Sequence, residues 1–512
     1  MERATAQADV VIAGGGPVGM LLAAELAHYG VDTVVLESRT TIDTEPKANT
    51  LHARTVQSLA RRGYLEEARR RGAADVSDGT RRKAPFHFAG ITELSVTSPG
   101  TEPEPLRKLP QADLEERFET VARARGARIL RGHSVLEAGQ TPHGVHVLAE
   151  GPDGVRTVRA AYLVGADGAR SVVREQNGFP TETWPATVSA LMGRARLTSP
   201  DAPPPGWHRT PRGWIVSRPE ADGRRLVRTL NCAQAHPDRR APVTPQEFRS
   251  EVSWLAGHEV DLSDITSLTR FSDFTRLARR FRQDRIFLAG DAAHVHFPIG
   301  GQGLSTGLLD ALNLAWKLAH TVHGTAGKGL LNTYDDERRP IALRLIENTQ
   351  AQLSLMRPGP EADALRSLFT TLLTTTNAHA LISDMISAQD TVYPPHSLHP
   401  SPWEGHFLTN RPLPSMEGHS LTAHPLLTDS TPTDLIDLLH DGRPLLLLRT
   451  PSPSHLTAIS TPWSHVIHTL HLPPDTDLPC DALLIRPDGY IGWGSDGGDP
   501  AEALSMWFGD PR

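Results

Sequence analysis

The sequence predicts an α/β protein with a βαβ unit at its amino terminus, an antiparallel sheet layer inserted further along, and a separate C-terminal domain. Three stretches carry that reading. Asp9–Ala13 is a compact β-type run followed by Gly14-Gly15-Gly16-Pro17-Val18-Gly19. Tyr162-Leu163-Val164-Gly165-Ala166-Asp167-Gly168 is a strand ending in an acid and a glycine. Arg285–His294 is another such strand, reaching Gly290-Asp291 and continuing through Pro298-Ile299-Gly300-Gly301-Gln302-Gly303 into a helix over Leu304–Lys317.

In the first stretch the glycines permit a tight turn and close approach of backbone to a phosphate. A helix follows from about Met20 to Tyr29, then the strand Thr33–Leu36, which ends at Glu37. A G-x-G-x-x-G turn with an acid about twenty residues on is the adenine-dinucleotide pattern. Gly14, Gly16 and Gly19 would meet the pyrophosphate, Glu37 the ribose hydroxyls, and Arg39 could reach the adenosine side. The pattern leaves FAD and NAD both open, and a glycine-rich turn in an unrelated α/β domain is the bland alternative.

Further along, Lys47–Arg54 precedes a helix to about Arg62, and Pro110–Leu114 opens another through Arg125. Arg128–Leu130 and Val145–Leu148 read as strands. Between about 175 and 280, strand-like pieces (Val188–Leu197, Gly213–Ser217, Arg225–Leu230) alternate with proline-rich loops, which argues for the inserted antiparallel layer. Glu361–Gln389 reads as helical, and Pro394–Pro402 as a linker. Beyond about 405, Pro444–Leu448 and Trp463–Leu472 are candidate strands. Ala482–Arg486 and Tyr490–Trp493 form a hairpin about Pro487-Asp488-Gly489, and a last helix starts near Ala501. The predicted division is 1–175 plus 280–400, then 176–279 with part of 76–108, then 405–512.

The third stretch says most about chemistry. Leu304, Leu308, Leu312, Ala315 and Ala319 recur at three- and four-residue spacing, predicting a buried amphipathic helix. The glycines ahead of it let backbone approach a flat ligand, and the helix start favours negative charge there. Asp291, at the strand end, can accept hydrogen bonds from hydroxyls. A ribityl chain leading to an isoalloxazine ring meets both demands.

Composition narrows the field. At 512 residues the chain exceeds a single core, and its net charge of −7 argues against a nucleic-acid partner. Cys232 and Cys480 are the only cysteines, offering neither a disulfide framework nor metal spacing, which suits a reducing cytoplasm. The first apolar run lacks the flanks of a signal peptide, and no segment has the length of a membrane span. His294-x-His296 has no evident third ligand, so no metal is expected.

Three such motifs in this order resemble the group A flavin-dependent monooxygenases, the p-hydroxybenzoate hydroxylase-like family. The resemblance covers nearly the whole chain and is strongest toward aromatic polyketide hydroxylases with a thioredoxin-like C-terminal domain. That domain here has no Cys-x-x-Cys, which excludes dithiol chemistry. The resemblance implies a Rossmann-like FAD-binding domain with an inserted substrate-binding sheet. It also implies FAD as cofactor, NADPH or NADH and O2 as co-substrates, and a monomer or homodimer. By the same resemblance Gly14, Gly16, Pro17, Val18 and Gly19 meet the pyrophosphate, and Gln111 contacts the flavin side. Lys47 and Arg54 run beside the flavin, while Asp167, Gly168 and Arg170 match a motif linked to both FAD and NAD(P)H use. Gly290 and Asp291 would hold the ribityl chain, with Pro298, Gly301, Gly303, Leu304 and Ser305 along the ring. Leu304-Ser305 replaces a frequent Met-Asn, Leu309 a frequent glutamine, and Lys47 a common arginine, losing its bidentate fork.

The family chemistry needs no side-chain nucleophile: reduced flavin takes up oxygen as a C4a-hydroperoxide, which hydroxylates an electron-rich ring. Substrate would lie between the inserted sheet and the flavin, with Trp207, Trp214 and Phe271 stacking on it and His296 offering a hydrogen bond. Core packing of the sheet layer is the alternative for each aromatic. Three functions are weighed. The first is hydroxylation of a polycyclic aromatic of polyketide type. The second is Baeyer–Villiger insertion or oxidative inactivation of an antibiotic such as a rifamycin. The third is a flavin-binding scaffold without turnover.

Overall fold

In the parallel core, Val10, Val11 and Ile12 are fully buried, as a strand covered on both faces requires. Their strand, Thr5–Ala13, lies between Gly154–Gly165 and Thr33–Glu37, parallel to both. The computed structural model describes residues 5–65, 81–410, 434, 438–449 and 454–511. The sheet continues through Arg128–Arg131 on one side and through Ile286–Leu288 and Arg282–Gln283 on the other. Gly144–Gly151 and Ser134–Thr141 add to it antiparallel. Register matters most for function: Ala13 is paired with Gly165, and Gly165 with Leu288. The three glycine-bearing turns therefore leave the same edge of one sheet side by side.

The first helix spans Pro17–His28 and begins earlier than the apolar pattern suggests, because Pro17 presets φ at its first turn. The helix after the third turn spans Gly303–Val322, and Leu304 through Ala319 are all buried. The helix is buried as expected, and the burial extends to its polar positions Asp310, Asn313 and Lys317. The C-terminal domain covers the face that would have met water, with Trp316 packed on Trp507 and Phe508 at 6.1 and 6.4 Å between ring centroids.

The inserted layer is a five-stranded antiparallel sheet in the order Gly206–Thr210, Gly213–Pro219, Arg225–Asn231, Ser189–Leu197, Leu262–Ser272. Helix Pro245–Ala256 covers one face through Leu191, Ile215, Val227 and Phe248. The other face turns to the main body, where Ala190, Trp214 and Leu230 cluster with Phe88, Phe297 and Ile299.

The last sheet runs His468–Leu472, Leu445–Arg449, Ala482–Ile485, Ile491–Gly494. Of the stretch Trp463–Leu472 expected as strand, only its second half is. Pro462 favours the 3-10 turn Thr461–Trp463, where the Trp463 indole donates to Gly509 O at 2.9 Å. The 394–402 segment has no regular structure but is pinned: Glu404 Oε1 accepts from His396 and Ser397 amides at 2.7 and 3.0 Å. Residues 76–80 of the segment assigned to the inserted layer lie outside the described residues. No described helix is long and apolar enough to cross a membrane.

Candidate cofactor and substrate site

The first turn is pressed against the second. Gly14 has φ +100°, and a Cβ there would lie 2.3 Å from Ala166 O. A Cβ on Gly19 would lie 2.1 Å from Gly14 O. Gly16 is the opposite case: a Cβ would meet nothing within 4 Å. It begins helix Pro17–His28 without a side-chain cap, so the helix start faces open space suited to a pyrophosphate. Val18 packs beneath Gly290 and Gly307, tying the first turn to the third.

Around this cradle the acids divide their work. Glu37 Oε2 accepts from Gly15 N at 2.6 Å and Oε1 from Arg39 N at 2.8 Å, so the expected ribose acceptor also braces the glycine turn. The Arg39 and Lys47 side chains converge on Asp43, each at 2.7 Å. Asp167 Oδ2 accepts from Val173 N at 3.1 Å, while its buried Oδ1 has no partner among the described residues. Burial pushes this carboxyl's pKa up. Gly168 beside it has φ +77°, and Arg170 is exposed. Asp291 is open to solvent, yet protein surrounds it closely enough that burial raises its pKa against the pull of His294 and Lys47. A side chain on the floor of an open cleft behaves in this way.

Behind Asp291 stands a dry network. Asp310 Oδ2 accepts from His294 Nε2 at 2.7 Å and from Gly290 N at 3.1 Å, and Oδ1 from Arg338 Nε at 2.7 Å. Burial would raise the Asp310 pKa, but Arg338 and His294 override it and hold the carboxyl below the ordinary range. These bonds fix Gly290 at φ +59° and thereby aim Asp291. They also engage His294; among the described residues no His, Cys, Asp and Glu cluster could hold a metal.

Along the third turn, Pro298 is exposed, and Gly300 and Gly301 take φ +74° and +63°. The helix start at Gly303 lacks a side-chain cap, and a Cβ on Gly303 would lie 2.9 Å from His296 Nε2. Leu304 is buried, and Ser305 Oγ accepts from His52 N at 3.1 Å, leaving backbone rather than side chains to meet a ligand. Gln111 opens helix Gln111–Ala124, half-buried, with its N–H on Ala48 O at 3.0 Å. Arg54 is placed elsewhere: its guanidinium bonds Gln57, Ala388 O and Gln389 O and lies 3.6 Å over the Phe407 ring.

The residues present fit FAD. The space before Gly16 suits a diphosphate, the unpartnered Asp167 Oδ1 and open Asp291 suit sugar hydroxyls, and the paired left-handed glycines suit a flat ring.

Facing the turn, Trp207, Trp214 and Phe271 lie on the body-facing side of the inserted sheet. Trp214 is buried and its indole donates to Met356 O at 2.7 Å, making it wall rather than stacking partner. Trp207 is half-buried, edge-on to Trp214 at 6.0 Å, and Phe271 stands 6.0 Å from Phe297. His296 Nδ1 donates to Phe297 O at 2.9 Å, and burial lowers its pKa to about 4, so the imidazole is neutral. Sequence reasoning missed His52, Phe86 and His87. Rings His52–Phe86, Phe86–His87 and His87–Trp207 are 5.2, 4.8 and 4.3 Å apart, a line of π-surfaces from turn to sheet. The available signal was Phe86-His87-Phe88-Ala89-Gly90, an aromatic run closed by a glycine.

Comparison with known proteins agrees with this geometry. Residues 7–349 match the FAD binding domain family, and 414–511 match the aromatic-ring hydroxylase C-terminal family. The chain is 36% identical over 525 residues to 12-dehydrotetracycline 5-monooxygenase/anhydrotetracycline 6-monooxygenase of Streptomyces rimosus subsp. rimosus, covering 98% of this chain and 99% of that one. It is 35% identical over 510 residues to rifampicin monooxygenase of Streptomyces venezuelae, covering 98% of each. The solved structure of OxyS anhydrotetracycline hydroxylase from Streptomyces rimosus superposes with a TM-score of 0.84 at 33% identity, covering 99% of this chain and 100% of that one. A cleft where three glycine turns meet, carried on a chain so matched from end to end, belongs to the family of FAD-dependent aromatic-ring monooxygenases.

Proposed function

We propose that this protein uses FAD and NAD(P)H to hydroxylate a polycyclic aromatic of polyketide type. The observation that carries the reading is the line of rings His52, Phe86, His87 and Trp207 that runs from the Pro298–Gly303 turn to the inserted sheet, which suits a fused flat ring. Bound FAD would supply the electron transfer and oxygen activation, while the chain supplies position, charge and dryness. The helix starts at Gly16 and Gly303 offer amides to the diphosphate and to negative charge at the ring edge. Asp167 and Asp291 accept from hydroxyls, and neutral His296 keeps an acceptor nitrogen toward Gly303. The nicotinamide nucleotide would bind without a second G-x-G-x-x-G unit. The likeness to rifampicin monooxygenase supports a second reading, oxidative inactivation of an antibiotic, with oxygen inserted beside a carbonyl as a related outcome.

The test is a panel of polycyclic phenols and a rifamycin given to the purified yellow protein. One of them should accelerate NADPH oxidation and return a product heavier by one oxygen, and Asp291→Ala should lower the flavin-to-protein absorbance ratio. A colourless protein that takes up no FAD would overturn the reading. So would NADPH oxidation that responds to no aromatic, which is the behaviour of a flavin scaffold without turnover.

A further inference from the structure

The C-terminal domain has no dithiol motif to work with. It is nonetheless joined to the flavin cleft by a line of buried side chains. The line starts at Gly290, whose N–H donates to Asp310 Oδ2 at 3.1 Å, and passes through Asp310 Oδ1 to Arg338 Nε at 2.7 Å. Arg338 Nη2 donates to Thr306 O at 3.2 Å, and Nη1 to the Tyr393 hydroxyl at 3.0 Å. Each nitrogen of the guanidinium thus has its own partner, two on the helix Gly303–Val322 and one outside it. Asp310, Arg338 and Tyr393 are all buried, so these bonds are made in a low dielectric, where each is stronger and costlier to lose.

On its other side Tyr393 is held by the C-terminal domain. Its ring lies 4.0 Å from that of Tyr490, which follows the Pro487-Asp488-Gly489 turn. The Tyr393 N–H donates to Gly405 O at 2.9 Å, and the Gly405 N–H donates to Ile491 O at 2.9 Å, which ties the segment to the edge strand of the last sheet. Gly405 has φ +80°, and a Cβ there would lie 2.1 Å from Tyr393 O, so the two backbones are in tight contact. At the far end of the line, Gly290 precedes Asp291 and keeps its left-handed φ of +59° with its N–H held by Asp310.

The geometry points to Tyr393 and Arg338 as positioning residues for FAD: through Asp310 and Gly290 they let the docked C-terminal domain set the direction of Asp291, and with it the hold on the ribityl chain. This assignment rests on the FAD site above and on no choice of substrate. It is also reciprocal, since whatever grip the C-terminal domain lends to FAD, bound FAD returns to the docking of residues 391–405.

The experiment follows FAD dissociation from the full-length, FAD-loaded protein on serial dilution, with the visible absorption spectrum of the bound flavin as a second readout. Tyr393→Phe removes the hydroxyl and keeps the ring. It should weaken FAD binding about three- to ten-fold, the worth of one buried hydrogen bond, and alter the bound spectrum. Trp463→Phe is the control: it deletes a hydrogen bond to Gly509 O in the same domain but off the line, and should leave both readouts as in the natural protein. A further measurement needs no substitution. Amide hydrogen exchange across residues 391–405 of the natural protein should be slower with FAD bound than without it. Natural affinity and spectrum in Tyr393→Phe, or an equal loss in Trp463→Phe, overturns the positioning role. So does exchange at 391–405 that ignores FAD, which decides the matter if Tyr393→Phe folds poorly. A natural protein that takes up no FAD is a different failure, since it sinks the cofactor site itself.

Discussion

Gly14 and Gly16 belong to one turn but answer to different neighbours. Gly14 combines φ +100° with a Cβ position 2.3 Å from Ala166 O, so Gly14→Ala must shift backbone. The cost is of order 1–3 kcal/mol, read as a lowered melting temperature whether or not flavin is present. Gly16 has room for a methyl group, but that room is where the diphosphate would sit. Gly16→Ala should leave the melting temperature of flavin-free protein unchanged and reduce flavin retention. Equal thermal losses in both variants would contradict this division of roles. The same contrast shows what residue type alone reveals. The pattern Gly14–Gly19 with Glu37 was legible because glycine and acid positions report local backbone needs. The fates of Arg54, bound to Gln389, and Trp214, bound to Met356 O, were not, since their partners come from distant segments.

At the level of elements, the helix Gly303–Val322 sits in the middle of both halves of the molecule. Its polar residues Asp310, Asn313 and Lys317 are buried and must be satisfied inside. Lys317 Nζ donates to Glu337 Oε2 at 2.8 Å, and Arg486 clamps Glu337 through both carboxylate oxygens at 2.6 and 2.8 Å. Arg486 also meets Asp488 at 2.5 Å, so one guanidinium from the C-terminal hairpin closes a network on the flavin domain. Arg486→Met would leave Asp488 buried without its cation and Glu337 with Lys317 alone, a loss of about 3–5 kcal/mol. Urea unfolding would measure it, and a loss below 1 kcal/mol would show that the network relaxes around the gap. The strands and turns of this region were readable from apolar runs and Pro487-Asp488-Gly489. The clamp was not, because nothing local distinguishes Arg486 from a surface arginine.

For the molecule as a whole, the buried acids set how stability responds to pH. Burial alone would raise the Glu337 pKa; Arg486 and Lys317 override it and hold the carboxyl well below the ordinary 4.5. Asp310 is likewise held below 3.8, by Arg338 and His294 against burial. A carboxylate with a depressed folded pKa contributes stability that is complete above its unfolded value and lost as pH falls through the folded one. Melting temperature should therefore be insensitive to these groups above about pH 4.5 and fall below it, and Glu337→Gln should flatten the acid limb. An acid limb unchanged in Glu337→Gln would show that other groups govern it. Asp167 and Asp291 are shifted the other way, so each opposes folding as it ionises, as befits acceptors kept for a ligand.

The amino-acid order by itself determined the βαβ start, the three glycine-and-acid turns, the inserted antiparallel layer and the C-terminal hairpin. Each rests on backbone preference or side-chain periodicity, which act over a few neighbouring residues. Only the tertiary structure decided that the three turns share one cleft, because that depends on Ala13, Gly165 and Leu288 falling into register. It alone buried Leu304–Ala319 on every side. Register and burial are fixed by packing between segments remote in the chain, so no local stretch carries them.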